Sequence, residues 1–366
     1  MLVHPVVIPG SGTRSWTVLG DDDVPVVPVD QFLTYLTDIG RSPNTVKAYA
    51  HDLKNYWEFI SFRSLDWREA RLEDIGEFVA WLQLPPAGRS GEVAVLPSVT
   101  AEVAASTVNR KLAAVSAFYA HQARNGAEVG DLLAVWRTGG RGGWKPFLHH
   151  ISKGKPYRGR AISLKAPKKL PRILTVAETQ AILDACTRLR DRFFFALLHE
   201  SGIRLGEAIG LDRADADLDG GVLTIRDGKF GRSRLVPLHP TVTSALASYA
   251  ARRDRLRPSP AATRFFVSTA GTALRTSGVD SAFAQLTTAL GLRTPASRPR
   301  VHDLRHSFAS RQLLDWHRAG ADVQARMPLL STYLGHVSPA GTYWYLTAVP
   351  ELMELAAARL ARGAPR

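Results

Sequence analysis

Val46, Tyr49, Leu53, Trp57 and Ile60 recur at three- and four-residue steps, so the stretch from Ser42 to about Ile60 reads as an amphipathic helix. Ser42 is suited to cap its first turn, and Pro43 fits there because its missing N–H would go unpaired anyway. Lys47, His51 and Lys54 fall on the opposite side and make that face basic. A similar pattern starts at Ser106-Thr107, with Val108, Leu112, Val115 and Phe118 on one side and Asn109, Arg110 and Lys111 off it. Residues 85–97, rich in Gly and Pro, read as a loop between the two. Both helices also fit an ordinary bundle with solvated charges.

Helical patterning resumes after Leu174, where Thr175 and Glu178 are spaced as a capping box. Gly221–Ile225 and Arg234–Leu238 read as short strands around the turn Asp227-Gly228-Lys229-Phe230-Gly231, and from His302 the pattern is helical again. Residues before Val29 show no sustained period and read as an arm. The expected fold is mainly α with a small β-hairpin. Its parts are an arm (1–28), a helical domain (29–140), a basic linker (141–172) and a second domain with a C-terminal tail (173–366).

Charge sharpens this picture. The 366 residues carry a formal net charge of +14, which favours a polyanionic partner. From Arg141 to Arg172 there are ten Lys or Arg and no acid, among them Lys153, Lys155, Arg158, Arg160, Lys168 and Lys169. Studded with Gly and Pro, this segment is a poor helix and a plausible tracker of a phosphate backbone. No apolar run approaches the roughly 18 residues of a spanning helix, and the first ten residues do not read as a secretory signal, so a cytoplasmic, DNA-associated protein is expected. The lone cysteine, Cys186, lies in a helical pattern and reads as structural.

Four short stretches carry candidate chemistry: Ser201-Gly202-Ile203-Arg204-Leu205-Gly206-Glu207, Gly228-Lys229, His302-Asp303-Leu304-Arg305-His306, and Leu334-Gly335-His336 with Tyr345 nine residues after His336. Singly, each fits a structural role. Together and in this order they resemble the tyrosine recombinase, or phage integrase, family, which carries Arg…Lys…His-x-x-Arg…His or Trp…Tyr across a helical catalytic domain. The Ser-Pro-Asn-Thr-Val and Ser-Thr-Val-Asn-Arg helices are similar to that family's N-terminal core-binding domain.

The resemblance implies a two-domain recombinase architecture and a site that uses no cofactor or metal. Arg204 and Arg305 would bind the equatorial oxygens of the scissile phosphate, since fork-shaped guanidiniums match developing negative charge. Tyr345 would be the nucleophile, His302 its base, Lys229 the acid for the leaving 5′-oxygen, His336 a donor to the phosphate, and Glu207 a support for Arg204 or His302. Arg232 and Arg234 would touch phosphates nearby, with Lys47, Lys54, Asn109 and Arg110 contacting DNA from the first domain. Tyr343 competes for the nucleophile's role, and the His302/His306 spacing also suits zinc, although no third ligand is evident.

The implied function is a site-specific recombinase working through a covalent 3′-phosphotyrosine and a Holliday junction, for integration, excision or transposition of a mobile element. Its implied partners are double-stranded DNA bearing specific recombination sites, three further copies of the chain in a tetramer, and accessory DNA-bending or directionality proteins. The alternatives are a catalytically silent DNA-binding protein of the same fold and a relaxing topoisomerase.

Overall fold

The computed structural model describes residues 1–10, 12–85, 88–89, 103–129, 134–137, 157–167, 171–228, 231–256, 263–336, 340–343, 345, 351 and 354. The chain divides into two compact units, Met1–Lys168 and Lys169–Arg366.

The first unit opens with an antiparallel hairpin, β1 (Leu2–Val7) and β2 (Arg14–Leu19), followed by helices α1 (Val27–Asp38), α2 (Pro43–Phe62), α3 (Leu72–Gln83) and α4 (Ala105–Arg124). Residues 1–28 are therefore not a free arm. Val18 is fully buried in the helical core, and Val3, Trp16 and Val26 pack on it, so the hairpin closes one side of the bundle. Ser42 caps α2 by accepting the Thr45 N–H, with Pro43 in the first turn. The apolar stripes of α2 and α4 meet around Leu53, Tyr56, Trp57, Leu112, Val115 and Phe118, all buried.

Part of the expected linker is also built in. Strand β3 (Ala134–Arg137) pairs antiparallel with β4 (Tyr157–Arg160), and Ile162 and Leu164 pack against the same core. Asn109 clamps this return, its amide donating to the Leu164 carbonyl at 2.8 Å while its carbonyl accepts the Leu164 N–H at 2.8 Å.

The second unit begins with α5 (Val176–Asp184), whose Thr175–Glu178 capping box forms reciprocally. Helix α6 (Leu189–Ser201) and α7 (Leu205–Gly210) follow, then a three-stranded antiparallel sheet of β5 (Ala216–Asp217), β6 (Val222–Gly228) and β7 (Arg232–Pro237). Helices α8 (Pro240–Leu256), α9 (Thr276–Ala289), α10 (Val301–Arg318), α11 (Val323–Leu334) and the short α12 (Ala340–Tyr343) complete the described elements. The hairpin and the helical remainder agree with the expected fold class, and β5 adds a strand too short to leave a periodic signal. Helix α10 is the central post: Leu304 is fully buried in the main core, while Phe308, Ala309 and Leu313 join α11 and Tyr345 in an adjoining cluster. Among the described residues no helix is long and apolar enough to cross a membrane.

Candidate active site

Two left-handed glycines bring the candidate arginines together. Helix α6 stops at Gly202, where φ is +60° and an added Cβ would stand 2.3 Å from the Phe308 ring, so both backbone and space require glycine. The turn that follows makes Arg204 the N-cap of α7. Helix α11 stops in the same way at Gly335, φ +65°, where a Cβ would lie 2.9 Å from the Arg234 guanidinium and 3.3 Å from that of Arg204. Each glycine also supplies an acceptor: the Gly202 carbonyl takes a hydrogen bond from Arg305 at 2.5 Å, and the Gly335 carbonyl one from Arg204 at 2.7 Å.

Helix α10 is opened by Asp303, whose carboxylate accepts the Arg300 N–H at 2.7 Å. One turn of it presents His302, Arg305 and His306. Arg305 is 2% exposed and donates to the Leu334 carbonyl at 2.6 Å as well as to Gly202. Its Nη2 lies 3.1 Å from His336 Nε2; a guanidinium only donates, so this nitrogen of His336 accepts, and Nδ1 pairs with the Thr342 hydroxyl at 2.7 Å. His336 therefore points an acceptor at Arg305, where a donor toward a phosphate was expected. Burial, then the charge of Arg204, lowers the Arg305 pKa to about 10, leaving it cationic at neutral pH.

Glu207 is the hub beneath. It accepts from Arg204 at 2.8 Å through both backbone N–H and guanidinium, and its two oxygens take the fork of Arg234 at 2.9 and 2.8 Å. Burial alone would raise its pKa, but the hydrogen bonds from Arg234 and Arg204 outweigh it and hold the carboxyl at about 2. Glu207 thus holds Arg204 and Arg234. Arg234 also donates to the Tyr333 carbonyl at 2.8 Å. Its guanidinium is committed to Glu207 and the Tyr333 carbonyl where a nearby phosphate contact was expected: residues 27 apart in sequence become ion-pair partners through the hairpin.

Tyr345 is 2% exposed, whereas Tyr343 is 45% exposed. The Tyr345 hydroxyl lies 3.1 Å from His306 Nδ1 and takes a further hydrogen bond from Arg305; its ring stacks near that of His336, with centroids 6.3 Å apart. His302, the expected base, meets His306 ring to ring at 4.6 Å, and the imidazole at hydrogen-bond distance from the phenol is that of His306. Among the described residues no three His, Cys, Asp or Glu side chains gather as metal ligands. All three imidazoles are pushed down, first by burial and then by neighbouring cations or imidazoles: His302 to about 4, His306 to about 3 and His336 to about 4. Burial raises the Tyr345 phenol, and Arg305 and Arg204 oppose that rise.

Arg204, His302, Arg305, His336, Tyr345 and Glu207 are therefore brought together. Lys229 lies outside the described residues, as do Lys153, Lys155, Lys168, Lys169 and the side chains of Arg158 and Arg232. In the first unit, Lys47 sits 4.5 Å over the Trp16 ring and Lys54 pairs with Glu58 at 2.7 Å. Arg110, half exposed, is held by Asp52 at 2.5 Å, and buried Lys111 pairs with the same carboxylate at 3.4 Å. Asn109 and Arg160 differ from expectation. The Asn109 amide grips Leu164, and the Arg160 guanidinium donates to the Asn109 carbonyl, so both brace the unit's own backbone.

The sequence pattern described as the phage integrase family matches residues 167–351. This chain belongs to the phage integrase family. The pattern of the phage integrase N-terminal SAM-like domain matches residues 29–126. The chain is 42% identical over 198 residues to the integrase/recombinase y4rE of Sinorhizobium fredii, covering 52% of this chain and 64% of that protein. It is 34% identical over 331 residues to tyrosine recombinase XerC of Methylobacterium sp. (strain 4-46), covering 87% of each. In fold, this integrase-family chain is similar to the Tn1549 transposon integrase solved with transposon right end DNA, with TM-score 0.59 and 15% identity over 92% of this chain and 99% of that one. These likenesses agree with a two-domain tyrosine recombinase architecture.

Proposed function

We propose that the chain is a site-specific DNA recombinase that cuts and rejoins strands through a covalent 3′-phosphotyrosine on Tyr345. The observation that carries the proposal is one continuous hydrogen-bonded group: Arg204 and His336 flank Gly335, Arg305 joins His336 to Tyr345, and Glu207 fixes Arg204 from below.

The chemistry follows from that group. Arg204 and Arg305 carry two positive charges against one shared carboxylate with Arg234, leaving a cationic pocket matched to a phosphodiester and to the extra charge gained in attack. As the Tyr345 oxygen bonds to phosphorus, the bond to the 5′-oxygen breaks and that oxygen takes a proton from Lys229. The phosphotyrosine conserves the phosphodiester's energy, so a 5′-hydroxyl from another strand reseals the break. Four protomers on two duplexes would exchange one strand pair, pass through a Holliday junction and exchange the second, in integration, excision or transposition of a mobile element. The first domain and the basic segment 141–172 would hold the DNA through Lys47, Lys54, Arg110 and the lysines of that segment, with DNA-bending or directionality proteins assisting.

A silent DNA binder draws on one observation, the 2% exposure of Tyr345, which leaves the phenol covered. A plasmid carrying two copies of a site selected by the protein's own binding separates the readings. Recombinant circles support the recombinase, relaxation without rearrangement points to a topoisomerase, and occupancy with unchanged DNA sustains the silent binder.

A further inference from the structure

His306 has no role in the proposed chemistry as set out so far. It lies one residue past Arg305 and one helical turn past His302, is 6% exposed, and places Nδ1 3.1 Å from the Tyr345 hydroxyl. Arg305 also hydrogen-bonds that hydroxyl, and because a guanidinium can only donate, the phenol's own proton is left to be placed. The neutral imidazole nitrogen at hydrogen-bond distance is the acceptor for it. Resting on the recombinase reading, we infer that His306 is a further catalytic residue, which takes the phenolic proton of Tyr345 on Nδ1 as the phenol oxygen attacks phosphorus.

The step balances within the site. The phenol O–H breaks and Nδ1–H forms; the oxygen–phosphorus bond forms and the bond to the 5′-oxygen breaks, that oxygen leaving with a proton from the acid. On resealing, the attacking 5′-hydroxyl gives up its proton to that acid, and His306 returns its own to the departing phenol oxygen, so the enzyme ends unchanged. The groups facing His306 set its readiness. Burial first, then His302, Arg300 and Arg305 beside it and His336 beyond α11, keep it neutral, so that Nδ1 accepts from the phenol. A bound phosphodiester puts negative charge among the same cations, which raises the basicity of the imidazole when the proton must move. His302, at 4.6 Å ring to ring, is then a positioning residue for His306.

Single-turnover adduct formation on a nicked suicide duplex tests this, using the full chain with normal DNA and with DNA carrying sulfur in place of the bridging 5′-oxygen. Sulfur leaves without a proton, so it rescues a missing acid but not a missing base. His306→Ala is expected to slow adduct formation roughly a hundredfold to ten-thousandfold on both substrates, with a rate that climbs with pH as hydroxide replaces the imidazole. His306→Asn keeps an acceptor near the Nδ1 position; it should bind DNA like the wild type yet share the slow, climbing profile. Rescue of His306→Ala by sulfur, or a wild-type rate and pH profile in either variant, overturns the assignment. If His306→Ala fails to fold, as judged by DNA binding, His306→Asn carries the test. Wild-type protein that forms no adduct on DNA it binds specifically would instead remove the recombinase reading itself.

Discussion

Tyr119 in the first unit and Tyr345 in the second are buried alike, each at 2% exposure, yet their surroundings differ in charge. The Tyr119 hydroxyl donates to the Trp67 carbonyl at 2.7 Å and lies 2.6 Å from the Tyr56 hydroxyl, with Asp66 and Asp74 the charged groups nearby. Burial, Tyr56 and those carboxylates all push its pKa upward, so this phenol is held protonated and serves packing. Burial raises Tyr345 as well, but Arg305 and Arg204 pull it back, and an imidazole stands where a backbone carbonyl stands beside Tyr119. A dry site alone therefore makes tyrosine inert; cations supplied by α10 and the turn before α7 make it a candidate nucleophile.

The strongest way to break this contrast is to weaken the cations. Arg305→Lys loses the fork that spans Gly202 and Leu334, and adduct formation on a suicide substrate should fall roughly 10²–10³-fold, the range for losing one preorganised donor to developing charge. An unchanged rate would put Arg305 outside the chemistry.

The carboxylate that organises the site comes next. The Glu207 pKa is depressed from 4.5 to about 2, so its stabilisation is complete above 4.5 and disappears as pH falls through about 2. That difference corresponds to about 3 kcal/mol. Urea unfolding between those pH values should show it in the wild type and not in Glu207→Gln. The depressed histidines, His302, His306 and His336 among them, cost stability from about 6.5 downward in both proteins, so the difference curve isolates Glu207.

On the other side of the comparison, Tyr119→Phe leaves the buried Trp67 carbonyl without that donor and should cost about 1–3 kcal/mol in unfolding while leaving adduct formation by the folded protein unchanged. The smallest effect is expected at Arg110, where the half-exposed guanidinium is poised by Asp52. Arg110→Ala should lower the salt slope of DNA binding by about 1, as for one phosphate contact, read from affinities across a salt series.

What the chain made legible follows the range of each interaction. Ser42, Pro43, Thr175 and Glu178 act within one helical turn, so both helix starts were readable. The β6–β7 hairpin was readable from its turn, and the order of Arg204, His302, Arg305, His336 and Tyr345 marked the site. The β1–β2 hairpin was missed because residues 2–7 are nearly all apolar and show no alternation, with Pro5 discouraging a strand reading. Strand β4 was hidden by the basic charge of its segment, and its partner β3 lies 20 residues upstream. Arg234 meets Glu207 only after the hairpin folds. The one local hint to His306 was its four-residue spacing from His302, which places both on one face of α10 and fits zinc as readily as a phenol partner.

The account stands most directly on which atom becomes linked to DNA. Protein trapped on a nicked suicide duplex, digested and sequenced by mass spectrometry, should carry the nucleotide adduct on the peptide containing Tyr345; the adduct should persist in Tyr343→Phe and disappear in Tyr345→Phe. An adduct on Tyr343 or on any other side chain, or one that survives Tyr345→Phe, would contradict it.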